Sequence, residues 1–139
     1  MNVSWVAVVV ATVVQFIVGA VWYMPIFGKM WGEMFGFDKL TKEEQAKAQS
    51  SMAPWMALQF GVTVLISFVL AWVIANLPEV SVYKLAAMVW IGFFVPTQVS
   101  AVVFGGTEPK WIKRRILIMA GGSLATLMAG TFVISLIQK

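Results

Sequence analysis

Residues 19–37, GAVWYMPIFGKMWGEMFGF, join the end of a long apolar run to an aromatic, methionine-rich segment, and the fold turns on that junction. Upstream, residues 3–24 carry no charge and exceed the roughly 20 apolar residues that a helix needs to cross a bilayer. Pro25 lacks a backbone donor and biases Met24 away from helix, so the first span is expected to end or bend here. Downstream, Ile26, Phe27, Met30, Trp31, Met34, Phe35 and Phe37 form a near-helical stripe opposite Gly28, Lys29, Gly32, Glu33 and Gly36. Such a segment can lie in the headgroup plane with its aromatic face buried. Its three glycines each cost a helix about 1 kcal/mol relative to alanine, and their spacing would also let a second helix approach. Two readings therefore stand: an interfacial amphipathic anchor, or a contact surface for another subunit or span.

Working outward, three more spans are expected over about 54–77, 82–104 and 113–137, with a loop over about 25–53. Apart from Lys113, Arg114 and Arg115, which precede the last apolar run at Ile116, only Lys84 is charged within them. The sequence thus predicts an all-α fold: one four-span domain over 1–139, an integral membrane four-helix bundle with an interfacial segment after the first span. Composition agrees. Of 139 residues 60% are apolar and 12% charged, against about 25% charged in a soluble domain, and the mean hydropathy is +0.87. The first run has no basic residue ahead of it and ends in Trp-Tyr-Met-Pro, so a retained helix is expected rather than a cleaved signal.

The absence of histidine and cysteine removes disulfide frameworks, thiolate or imidazole metal sites, cysteine nucleophiles and Ser-His-Asp triads. The net charge of +4 does not point to nucleic acid, because the basic residues sit at span ends. Lys29, Lys39, Lys42 and Lys47 follow the first span and Lys110, Lys113, Arg114 and Arg115 the third; only Lys84 and Lys139 lie on the other side. The positive-inside rule then puts both long loops in the cytoplasm and both termini outside. Trp5 and Tyr83 would mark the outer interface, and Trp22, Tyr23, Trp55 and Trp111 the inner one. In the hydrophilic run Asp38 to Ser51, Thr41 and Glu44 fit a capping box at the start of a short solvated helix.

Intramembrane polarity is confined to amides and hydroxyls. At 1.5 Å per residue Gln15 lies about 13 Å from the cytoplasmic boundary, Gln98 about 9 Å and Gln59 about 7 Å. Together with Thr97, Ser100 and Ser123 they are candidates for one polar cluster, either bonding helices together or lining a cytoplasm-facing cavity with Trp22, Trp55 and Phe94. Pro96 frees a carbonyl in the third span that Thr97, Gln98 or Ser100 can satisfy. Gln59, Thr63 and Ser67 share one face of the second span. In the fourth, Gly122, Thr126 and Gly130 form one small-residue row and Gly121, Ala125 and Ala129 another, the strongest packing signal in the chain.

The motif Gly19-x-x-Trp22-Tyr23-x-Pro25-x-Phe27-Gly28-x-x-Trp31, with Trp90-x-Gly92-Phe93 and Pro96, resembles the bacterial membrane-protein family known as domain of unknown function 1761. The resemblance covers nearly the whole chain. It implies four spans and brings no activity, cofactor or site residue with it. Small multidrug exporters share the length but need a carboxylate in the first span, where this chain has Gln15; dual-topology fluoride channels lack this charge bias.

The function expected from the sequence is non-enzymatic: a structural or interaction protein of the bacterial inner membrane that meets the lipid bilayer and forms a homo-oligomer, with small-residue rows left over for a second copy. The alternative is a small uncoupled transporter or channel whose glutamine cluster holds a small polar or aromatic ligand. No cofactor or metal is expected. Flux in liposomes separates the two readings.

Overall fold

The computed structural model describes residues 2–139, and within them every regular element is helical. Helix α1, Trp5–Val21, starts where the Ser4 hydroxyl accepts from the Ala7 amide. Pro25 then forces a wide turn over Trp22–Ile26. Pro25 has no N–H for the Val21 carbonyl four residues back, and in the widened turn the Phe27 amide reaches back five residues to the Trp22 carbonyl, at 3.0 Å. A π-turn of this kind marks an extra residue in the helix.

Helix α2, Gly28–Met34, is short and stops before Gly36, whose φ of 70° suits glycine at the end of a helix. A single tight turn, Phe37–Lys39, leads to α3, Lys42–Ser51. The expected capping box is formed: Glu44 accepts from the Thr41 amide at 2.8 Å and Thr41 from the Glu44 amide at 3.2 Å. Thr41→Ala is expected to cost α3 about 1 kcal/mol. Amide exchange should accelerate in residues 42–51 and stay unchanged in the long helices.

Helix α4, Ala53–Asn76, admits Pro54 in its first turn, where the missing donor is harmless. After a turn through Pro78 come α5, Val82–Val89, a second π-turn over Trp90–Phe94, and α6, Val95–Phe104. Pro96 stands just beyond that π-turn, and the three pieces make one span. Helix α7, Pro109–Ile137, begins earlier than expected because Pro109 serves as its first residue. Lys110, Lys113, Arg114 and Arg115 are therefore helical rather than in a loop.

Four helices are long and apolar enough to cross a membrane: Trp5–Ile26, Ala53–Asn76, Val82–Phe104 and Pro109–Ile137. Their outward residues, among them Leu58, Leu65, Phe93, Phe104 and Leu117, are exposed and apolar, as lipid contact requires.

Helices α1 and α7 are the central pair; α4 lies along α1, and α5 and α6 lie along α7. The end with the chain termini is closely packed between α1, α4, α5 and α7. Ala7, Ala11, Ala71 and Ala86 are fully buried there, and such small side chains let helix backbones come close. Gln138 ties this end together by accepting from the Ser4 amide at 2.9 Å and donating to the Ala71 carbonyl at 2.7 Å. At the other end, which carries α2 and α3, α4 packs on α1 while making no extended contact with α6. The space between them becomes the cavity.

Candidate functional site

A cavity of about 640 Å³ occupies the α2 end of the molecule, walled by α1, α4, α6 and α7 and bordered by Trp31 of α2. Its polar groups are the side chains of Gln15, Tyr23, Gln59, Thr63, Gln98, Ser123 and Thr126, plus the Trp31 indole. No lining side chain is acidic or basic.

Gln15 is the most constrained member. It is 3% exposed and its amide donates to the Ser67 hydroxyl at 2.7 Å. The Ser67 and Thr12 hydroxyls are 3.0 Å apart, and Thr12 donates to the Val8 carbonyl at 2.8 Å. One proton per hydroxyl satisfies this chain when it runs from Gln15 through Ser67 and Thr12 to the backbone. The arrangement leaves the Gln15 amide oxygen with no donor among the described residues, on the cavity wall. Gly130 makes the seat: a Cβ there would lie 2.6 Å from both Cδ and Nε2 of Gln15.

Two indoles bind α7 beside the cavity. Trp22 donates to the Ile118 carbonyl at 2.9 Å, while Trp90 donates to the Ala120 carbonyl at 2.9 Å and lies 3.1 Å from the Ser123 hydroxyl. Each is the first residue of a π-turn. Gly121 and Gly122 accommodate Trp22: a Cβ at 121 would fall 2.7 Å from its Cζ2, and one at 122 would fall 2.9 Å from its Cδ1 and 3.1 Å from the Tyr23 hydroxyl. The glycine row expected for helix packing is thus spent on polar aromatic side chains of the same chain.

Ser123 sits 3.2 Å from the Gln98 amide oxygen and 3.0 Å from the Ala120 carbonyl. Its single proton serves one of them. The Gln98 amide nitrogen and both polar ends of Gln59 have no side-chain partner among the described residues. The wall therefore offers a free acceptor on Gln15, a free donor on Gln98 and an unengaged amide on Gln59. Such a set matches a neutral molecule that both donates and accepts.

Four of the expected cluster residues line this cavity: Gln15, Gln59, Gln98 and Ser123. Thr97 and Ser100 do not, and both are exposed. One residue along a helix is a rotation of about 100°, so when Gln98 faces inward Thr97 faces out. Thr97 instead donates to the Phe93 carbonyl at 2.6 Å, next to the one that Pro96 frees. Trp55 is also turned outward, and Trp22 lies on α7 rather than on the cavity wall. Phe94 is in place. Of the two rows, Gly121, Gly122 and Gly130 make close seats and Thr126 lines the cavity, its methyl 3.6 Å from where a Gly19 Cβ would be; Ala125 and Ala129 are only half-buried.

The aromatic segment packs against itself and against α7. Phe27 leans on Trp22 at 4.9 Å, Trp31 meets Tyr23 edge-on at 4.9 Å, and Phe35 follows at 5.2 Å. Gly28 leaves room for the Tyr23 carbonyl, 3.2 Å from where its Cβ would be. Arg115 then stands over the Phe35 ring at 4.9 Å and the Trp31 ring at 6.0 Å while donating to Thr107 at 2.7 Å. Its Nε is buried with no acceptor among the described residues, and the aromatic faces supply the compensating attraction. Sequence reasoning had used Arg115 only as a topology signal. Ile26 and Phe35 remain exposed, while Trp31 borders the cavity.

No curated protein and no solved structure matches the chain. A family model does, over residues 6–138, which takes in the Trp22 motif, both π-turns and every residue of the cavity. The chain belongs to the family described as protein of unknown function, DUF1761.

Proposed function

We propose that this protein is a four-helix bundle of the bacterial inner membrane, both termini outside, that binds a small neutral molecule in a cavity open toward the cytoplasm. The observation that carries this reading is the unmatched polar set on the wall: a free acceptor on Gln15, a free donor on Gln98 and the amide of Gln59, with no charge beside them. Amides placed only to bond helices together would be paired with each other or with backbone. Binding is favoured over a purely structural role for a second reason. In the small-residue rows that suggested a homo-oligomer, Gly121, Gly122 and Gly130 seat Trp22, Tyr23 and Gln15 of the same chain.

Binding is also favoured over catalysis, since the lining groups are amides, hydroxyls and rings rather than acid–base pairs. Passage across the membrane would require the alanine-packed end to open. The polar side chains of the cavity lie toward the α2 end.

The native sequence lacks cysteine, which makes the test direct. Gln59→Cys and Gln98→Cys are expected to react with a membrane-impermeant thiol reagent in inverted vesicles as readily as Lys42→Cys, while Val62→Cys on the lipid face stays unlabelled. Protection of both cavity positions alongside a labelled Lys42→Cys would mean a dry bundle and end the binding reading.

A further inference from the structure

The polar cavity does not stop at its amides. A second, apolar cleft of about 200 Å³ runs on from it between α4 and the α5–α6 arm, walled by Leu65, Val69, Val73 and Val89. The two spaces share Ile66, Phe94 and Leu127. Resting on the binding reading above, we propose that the ligand is a single-chain amphiphile of the bilayer, its neutral hydrogen-bonding head among Gln15, Gln59 and Gln98 and its apolar tail in this cleft.

Three features select this occupant over a compact solute. The first is shape. From Gln59, at the head, to Val73, at the far end of the cleft, α4 rises about 21 Å, so the combined space is elongated. The second is its polarity along the helix axis: amides gather toward the α2 end and the cleft is lined only by aliphatic side chains and Phe94. A lipid of the leaflet nearest α2 points the same way, with its head toward that surface, and its tail would run past the bilayer centre along the cleft between Leu65 and Val73. It would enter without turning over.

The third is access. Leu65 and Val69 line the cleft and are also 61% and 48% exposed on the outer surface, and α4 has no extended contact with α6. The cleft therefore opens sideways to lipid, and a molecule reaching it from the membrane never has to desolvate its tail. A headgroup carrying net charge fits poorly, because the lining side chains supply no counter-charge. Fatty amides, long-chain alcohols and monoacyl or prenyl alcohols share the required chemistry.

The experiment uses the whole protein in vesicles with a dodecanamide probe that carries a diazirine near its chain end, followed by photolysis and peptide mapping. The expected product is label concentrated on the Leu65–Val73 and Val89–Phe94 segments. Val69→Trp, which fills the cleft from its lipid side, should reduce that label roughly tenfold and leave thiol reactivity at Gln98→Cys unchanged. Unlabelled dodecanamide should compete, and dodecyl phosphate should not.

Uniform label on all lipid-facing helices, unaffected by Val69→Trp, would overturn the amphiphile proposal while a reactive Gln98→Cys leaves the polar cavity standing. Protection of Gln98→Cys would bring down both. A disulfide-linked dimer formed by Val69→Cys in place of cleft labelling would assign the cleft to a second copy and overturn the proposal too. If Val69→Trp fails to fold, Val73→Phe blocks the same cleft one turn further along α4.

Discussion

Trp22→Ala is expected to destabilise the protein by about 3 kcal/mol, the low end of the range for emptying a packed aromatic site. The indole is held from two sides at once. Its N–H donates to the Ile118 carbonyl at 2.9 Å, and its ring fills the space over Gly121 and Gly122 where neither Cβ would fit. Trp22→Phe keeps a ring and loses the hydrogen bond, so about 1 kcal/mol is expected. The reciprocal change gives the sharper test. On helix propensity alone Gly121→Leu should stabilise α7 by roughly 1 kcal/mol, whereas a leucine driven into the Trp22 ring should cost about 2 kcal/mol. The sign decides.

In the Trp22→Ala background the same leucine has somewhere to go, and the two costs should fall short of additive by about 1 kcal/mol or more. Unfolding in detergent, followed by far-ultraviolet circular dichroism so that the lost indole does not alter the signal, measures all four proteins. Simple additivity would mean that Trp22 is not seated on the α7 glycines.

The spans were legible because each presents about 20 apolar residues between charged or turn-forming stretches. The capping box at Thr41 and Glu44 was legible for a similar reason, being local chemistry with a fixed spacing. What could not be read was which way a polar side chain faces within a span. In water a helix announces its buried face by hydrophobic periodicity, but a helix that meets protein on one side and lipid on the other is apolar all round. Gln98 and Thr97 look alike under those conditions, although one lines the cavity and the other lies on the outer surface.

The π-turns compound the problem. Each inserts a residue and advances the helix face by about 100°, so a face counted through α5 is out of register in α6. Pro25 and Pro96 are the sequence signs that such a change is near, without saying where it falls. The glycine row of α7 was found as a packing signal, and α1 lies along α7; which side chains it seats was not legible. Small residues at spacing four invite another helix backbone, yet Gly121, Gly122 and Gly130 receive Trp22, Tyr23 and Gln15. A glycine seat for a bulky or polar side chain reads the same in sequence as a glycine seat for a helix.

Gly130→Val tests the polar half of the site. The new side chain would start 2.6 Å from the Gln15 amide nitrogen that bonds Ser67. Gln15 is flexible enough to yield, and the open direction is the cavity. Its departure breaks the bond to Ser67, and the hydroxyl chain through Thr12 loses its donor. We expect about 2–3 kcal/mol of destabilisation, part overpacking and part the lost hydrogen bond. Ser67→Ala removes the bond without moving Gln15 and should cost only about 1 kcal/mol.

The two variants should separate in a second measurement. With the displaced amide occupying part of the cavity, thiol labelling of Gln98→Cys should fall in the Gly130→Val background and persist in the Ser67→Ala one. Equal labelling in both would mean that Gln15 has left the cavity wall by another route, and its free oxygen would no longer belong to the binding set. A fall confined to Gly130→Val ties the glycine, the amide and the open space together. In that case the residue most easily taken for a helix-packing glycine is the one that keeps the site empty enough to bind.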